Sequence, residues 1–367
     1  MLDDSGRRLR PANANRTPKP RGDTTLIENR RVSAPAELLE MLDALRAASP
    51  IHRPSRFWEE LNASHLAILS SPDGYAHFKR SLNYQYFQFG LTASRFPLMS
   101  LLGRWLRHPD ARVLRARFDG PMPSLPKVID RLLLPVPLAL YASAVAQLPR
   151  GDVLSTIAEP AAGDPIVVRF GDLRLTEDLC HSVEERASIL EGLGDRPMHS
   201  ILELGAGYGR VAYVVLRANP GLRYTIVDVP PALYLSQRYL TEVLPERRVF
   251  RFRRFADQAA VADEMAAADL VFLEPQQLEL LPDRSFDLGI TISTLHEMRP
   301  EQIAQYLRQL DRLCDSVYTK QWRRFHNRRD GVVIRASDYP IPERWRAVFH
   351  RSPIFPRTFF EALYLVE

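Results

Sequence analysis

Cysteine is nearly absent. Two residues in 367, Cys180 and Cys314, cannot build a disulfide framework or a four-cysteine zinc site, so a reducing, cytoplasmic setting is expected. Long hydrophobic runs are missing too. The longest, residues 132–148, is broken by Pro135, Pro137 and Gln147 and falls short of the roughly 20 residues that a spanning helix needs. It predicts a buried helix, and no membrane partner is expected. No apolar stretch follows the N-terminal arginines, which argues against a secretory signal. Net charge is scarce outside the N-terminus. Residues 1–31 hold eight basic and four acidic side chains, +4 of the net +5, so the remaining chain is nearly neutral. A global electrostatic case for nucleic acid fails on that distribution, and none is expected as a partner. The hydrophobic content of 46% and charged content of 25% fit an ordinary globular protein.

Three regions follow from the patterning. Residues 1–32 are basic and Pro-containing without a hydrophobic period, which predicts a disordered tail. Residues 33–175 read as a mainly helical region and linker. Leu38, Met41, Leu42 and Leu45 recur at helical spacing, helices are expected over 55–69 and 75–89, and a short hairpin over 166–170 and 173–175. Residues 176–367 alternate. Helices are expected at 177–193, 232–243 and 300–314, and strands at 200–204, 223–227, 270–273, 286–292, 316–319, 345–350 and 358–366. Such alternation implies an α/β domain with a largely parallel sheet covered by helices on both faces.

The most informative stretch is Leu202-Glu203-Leu204-Gly205-Ala206-Gly207-Tyr208-Gly209-Arg210. An apolar strand runs into three alternating glycines and then a helix, which permits close backbone approach to a ligand at the helix N-terminus. Arg210 stands where a dinucleotide fingerprint needs its last glycine. Glu203 at the strand end would repel a pyrophosphate and suits a cationic ligand, an ammonium or sulfonium. Asp228 ends the next apolar strand, where an acid reaches a ribose in doubly wound sheets.

These motifs resemble the class I S-adenosylmethionine-dependent methyltransferases. Residues 201–213, 226–237, 293–298 (Ser-Thr-Leu-His-Glu-Met), 318–322 (Tyr-Thr-Lys-Gln-Trp) and 338–342, with Phe78-Lys79-Arg80, Tyr86 and Phe87, look like a bacterial sugar O-methyltransferase family. The resemblance implies a Rossmann-like class I methyltransferase domain with a mostly parallel seven-stranded sheet. It implies S-adenosylmethionine as cofactor, held by Glu203, Gly205, Ala206, Gly207, Tyr208 and Gly209, by Asp228 and Val229 at the ribose, and by Ser293. Gln276 and Gln277 stand where many members place an Asp for the adenine amine. The implied acceptor is a hydroxyl of a sugar or glycosylated metabolite. A non-sugar natural product stays an alternative, as does nucleic-acid binding through the arginines at 247–254.

Methyl transfer to an alcohol needs alignment and a means of removing the hydroxyl proton. His296 and Glu297 follow the fourth strand of the alternating domain, at the sheet edge where ligands bind, and are the candidate catalytic pair. Lys320 and Trp322 follow the fifth and are the candidate acceptor contacts, Lys320 for an anionic group and Trp322 for a sugar ring. His326, Asp330 and Asp338 fit no established metal-ligand spacing, and no metal is expected.

Overall fold

The computed structural model describes residues 34–71, 73–81, 96–119 and 133–367. The expected tail at 1–32 lies outside these residues, as do Tyr86, Phe87 and most of the helix expected over 75–89.

The N-terminal region holds α1 (Ala36–Ala47), α2 (Arg56–Leu69), the single turn α3 (Phe78–Ser81), α4 (Leu98–Arg107) and α5 (Pro135–Ala146). Helix α2 starts where Ser55 accepts the Trp58 amide at its N-cap. Helix α5 is the buried helix expected from the broken apolar run; Leu138, Ala139, Tyr141, Ala142 and Val145 are all within 1% of full burial. One element departs from the expected helices and hairpin. The two-residue strand β1 (Arg117–Phe118) pairs antiparallel with β2 (Val168–Phe170), which pairs with β3 (Leu173–Leu175). Two residues are too few to show an alternation.

Helix α6 (Glu177–Leu193) opens the second region, capped by the Thr176 hydroxyl accepting the Leu179 amide at 3.1 Å. Every residue of it except Glu191 is buried, because the N-terminal helices cover the side a surface helix would leave wet. Beyond it come β4 (Ser200–Leu204), α7 (Arg210–Ala218), β5 (Arg223–Val227), α8 (Ala232–Val243), β6 (Val249–Phe250), α9 (Ala262–Ala267), β7 (Leu270–Leu273), β8 (Phe286–Ile292), α10 (Pro300–Leu313) and β9 (Cys314–Trp322). A hairpin of β10 (Arg324–Asn327) and β11 (Val332–Arg335) precedes β12 (Trp345–Arg351) and β13 (Phe359–Val366).

The main sheet runs β12-β13-β9-β8-β4-β5-β7-β6, with β13 antiparallel between β9 and β12 and the pairs from β9 to β6 parallel. This is the Rossmann-like class I methyltransferase topology, with eight strands where seven were expected. The extra edge strand is β6, among the arginines at 247–254. Strand β9 also runs three residues past its expected end at 319, because Lys320, Gln321 and Trp322 pair with Glu361, Phe360 and Phe359 of β13.

Two cores flank the sheet. One joins Leu38, Phe78 and Leu138 from the N-terminal helices to Val211, Leu235 and Ile290. The other packs α10 (Ile303, Leu307 and Leu310) against the opposite face. Among the described residues, no helix is long and apolar enough to cross a membrane.

Candidate active site

A cavity of about 340 Å³ opens at the C-terminal ends of β4, β5 and β8. Its floor is the glycine loop, with Glu203, Gly205, Ala206 and Gly207. Asp228 and Val229 form one side, Ser293, Thr294, His296 and Glu297 another. The roof comes from the N-terminal region, with His52, Pro54, Ser55 and Trp58; Trp322 and Phe325 complete the walls.

The loop conformation requires glycine. Gly205 sits at φ +76°, and a Cβ there would lie 2.3 Å from the Thr294 side chain. Thr294 in turn donates to the Gly205 carbonyl at 3.2 Å, tying the loop to the segment after β8. Gly205→Ala is therefore expected to displace the loop and abolish ligand binding at the floor while the sheet still melts cooperatively, as checked by thermal unfolding with and without ligand.

Two carboxylates bracket the loop. Asp228 accepts the Gly207 amide at 2.9 Å and the Val229 amide at 2.7 Å. Burial pushes it up to about 7, against the pull of those two amide bonds. Glu203 accepts the Tyr224 hydroxyl at 2.8 Å, and burial likewise raises it to about 7. Both acids thus stay partly protonated at neutral pH until a cation or hydrogen-bond donor arrives. The folded chain holds the Glu203 proton between its ordinary value near 4.5 and about 7, while the unfolded chain releases it. The associated stability is complete below about pH 4.5 and is lost as pH rises through about 7. Glu203→Gln should raise Tm above about pH 8 and leave it unchanged below about pH 4, measured by calorimetry without ligand.

His296 and Glu297 form a buried pair whose proton positions the neighbours dictate. Gln321 Oε1 accepts the amides of Thr294 (3.1 Å) and Leu295 (3.2 Å), while its Nε2 donates to the Thr291 carbonyl at 3.0 Å. His296 Nδ1 faces that same Oε1 at 3.2 Å, so Nδ1 carries the proton and Nε2 the lone pair. Nε2 faces Glu297 Oε1 at 3.2 Å. Two acceptors at that distance need a proton between them. Burial lowers the imidazole to about 3, with the Gln321 bond opposing, and raises Glu297 well above the carboxylate range. The proton therefore sits on Glu297, and the contact is a neutral hydrogen bond rather than an ion pair. The Trp58 indole N–H donates to Glu297 Oε2 at 3.1 Å and the Ser55 hydroxyl to its carbonyl at 2.8 Å.

Several expected contacts lie elsewhere. Lys320 is fully buried, 3.0 Å from Glu185, because the longer β9 puts it beneath the sheet's cover. It is closed to an acceptor. Tyr208 turns into the N-terminal core, its hydroxyl donating to Asp178 at 2.5 Å. Gly209 caps α7 at φ +89°, and a Cβ there would strike Leu240. It shapes the turn without lining the cavity. Gln277 spends its amide on the Glu274 N–H and the Arg253 carbonyl. Gln276 has a buried Oε1 without a hydrogen-bond partner, as has Glu274 beside it, and both flank the cavity-lining Pro275. Burial raises Glu274 to about 8, against its bond from Gln276. Asp330 accepts the amides of Arg56 and Phe57, fastening the start of α2.

The roof residues and Arg210 were invisible as site residues. Arg210 lines the cavity and makes a bidentate pair with Glu185 at 2.6 and 3.0 Å. Trp58 lies 239 positions from Glu297 in sequence, and no spacing rule connects them. Of the arginines at 247–254, Arg248, Arg251 and Arg253 pair with Asp269, Glu37 and Glu264, while Arg247 and Arg254 bond backbone carbonyls.

No family model and no curated protein matches the chain. Similar solved structures include the PH0226 protein of Pyrococcus horikoshii OT3, at 11% identity and TM-score 0.34 over 50% of this chain and 91% of that one. A SAM dependent methyltransferase of Aquifex aeolicus is similar at 13% identity and TM-score 0.32, over 49% of this chain and 88% of that one.

Proposed function

We propose that the chain is an S-adenosylmethionine-dependent O-methyltransferase acting on a hydroxyl of a sugar or glycosylated metabolite. The observation that carries the reading is that Glu203 and Asp228 flank one glycine loop at the floor of one cavity. The residues fit the cofactor. Glu203 suits its ammonium, Arg210 and the N-terminus of α7 its carboxylate, and Asp228 the ribose hydroxyls. The unpartnered oxygens of Gln276 and Glu274 suit the adenine amine. When bound, the cofactor supplies an electrophilic methyl group on a sulfonium.

The chain's own residues provide the rest. An acceptor hydroxyl that displaces the Glu297 carboxyl from His296 Nε2 presents its proton to the same lone pair. Gln321 holds the imidazole in the tautomer that can receive it. The half-buried rings of Trp58, Trp322 and Phe325 offer apolar faces to the C–H side of a sugar and help exclude water. The reading is tested by incubating the protein with methyl-labelled S-adenosylmethionine and panels of nucleotide sugars, glycosides and simple phenols. Label entering the sugar hydroxyls supports it. Label entering only phenols moves the assignment to a non-sugar natural product, for which the same aromatic walls would serve.

A further inference from the structure

Seven of the nine large apolar side chains exposed among the described residues fall between positions 98 and 136. Four lie on α4. Met99 is 84% and Leu106 63% exposed, with Leu98 and Leu102 also exposed on the helix, while Leu101 and Trp105 turn inward. Leu114 is 75% exposed on the turn at Val113–Arg115, and both this turn and α4 pack on α5, whose N-terminal end shows Leu133 and Val136.

Arginines surround these side chains. Arg104 and Arg107 lie on α4, Arg115 and Arg117 follow it, and Arg357 reaches α4 by donating to the Ser100 hydroxyl at 2.9 Å. The acids of this stretch are already paired, Asp110 with Arg112 and Asp119 with Arg169 and Arg174. Among the described residues, Arg104, Arg107, Arg115 and Arg117 make no ion pair with an acid. An apolar face ringed by unneutralised arginines suits an anionic lipid surface, with leucines among the acyl chains and guanidinium groups at the phosphates. A second copy of the same face would bring arginines against arginines, which disfavours self-association there.

We propose that α4 and its flanking arginines form a peripheral docking surface for an anionic lipid bilayer. Such docking needs an amphipathic face and no spanning segment. It stands independently of the methyl-transfer reading.

The test is co-sedimentation of the full chain with phosphatidylcholine vesicles, with and without equimolar phosphatidylglycerol. Binding is expected to the anionic vesicles only and to weaken as salt rises. Met99→Glu with Leu106→Glu should reduce the bound fraction at least tenfold, and Arg104→Glu with Arg107→Glu by a comparable factor, since each basic residue near an anionic surface contributes about fivefold. Met99, Leu106 and Arg107 are exposed and Arg104 is half-buried, so Tm should change little, and the second pair decides if the first disturbs folding. No binding to anionic vesicles overturns the proposal. So does binding unchanged in both variants, which would assign it to the basic tail. A dimer in light scattering that the Met99/Leu106 variant dissociates, without vesicle binding, would make the face a self-interface and overturn it equally.

Discussion

Replacing His296 by alanine should lower single-turnover methyl transfer about 10²–10⁴-fold, with S-adenosylmethionine affinity nearly intact. The imidazole lies against Trp322 and Phe325 in the cavity wall. A free histidine base would give a rate that falls below its ordinary value near 6.5. That acid limb is not expected here, because burial holds His296 near 3 and the lone pair on Nε2 persists through the neutral range. Glu297→Gln separates the roles of the pair. Gln presents an N–H to Nε2 and an oxygen to the Trp58 indole, as the protonated carboxyl does. Retained activity in that variant makes Glu297 a placeholder that keeps Nε2 oriented. A loss exceeding that of His296→Ala makes Glu297 the base. If His296→Ala and Glu297→Gln both lose cofactor affinity and turnover together, the pair only shapes the pocket, and the assignment of a base to either residue is wrong. Single-turnover rates across pH, with cofactor titrations in parallel, read all three outcomes.

Asp228→Ala should weaken S-adenosylmethionine binding by about 10–150-fold, the equivalent of about 1.5–3 kcal/mol for hydrogen bonds to a charged group. The same change leaves the Gly207 and Val229 amides without their acceptor, so the loop loses its anchor as well as its ligand contact. Asn is not a conservative substitute. One end of its amide is a donor and would face an amide N–H that also donates. In the native chain, affinity should rise as pH passes about 7, where the buried carboxyl ionises and becomes the better acceptor. That pH dependence should shrink in Asp228→Ala to the share that Glu203 contributes. Calorimetric titration at several pH values checks both effects, and an unchanged Kd in a folded variant excludes Asp228 from the cofactor site.

The elements that build this site were largely legible. The strand at 200–204 and the helices at 177–193 and 232–243 match the structure residue for residue, because each carries a full hydrophobic period bounded by Thr, Gly or Pro. The glycine loop and its two acids were legible for a similar reason, since strand, turn and helix are consecutive in the chain. What was not legible depends on contacts between distant segments. Lys320 reads as a cation at a strand end because composition alone stops its strand at Thr319; pairing with β13 carries the strand on and buries the charge against Glu185. Gln277 reads as an open loop amide, yet the capping of its own 3₁₀ turn consumes it. Trp58 and Ser55 read as ordinary helix-start residues. Their place over Glu297 follows from the packing of the N-terminal region on the sheet domain, where Arg299 and Gln302 hold the 50–54 segment through its carbonyls.

The most direct test of this account is calorimetric titration of the full chain with S-adenosylmethionine. One site per chain is predicted, with protons released near pH 7 as the cationic ligand ionises Glu203, so that the observed heat changes with the ionisation enthalpy of the buffer. Glu203→Gln should remove the Glu203 share of that dependence and leave the share of Asp228. A native, cooperatively melting protein that takes up no S-adenosylmethionine would contradict the account at its centre.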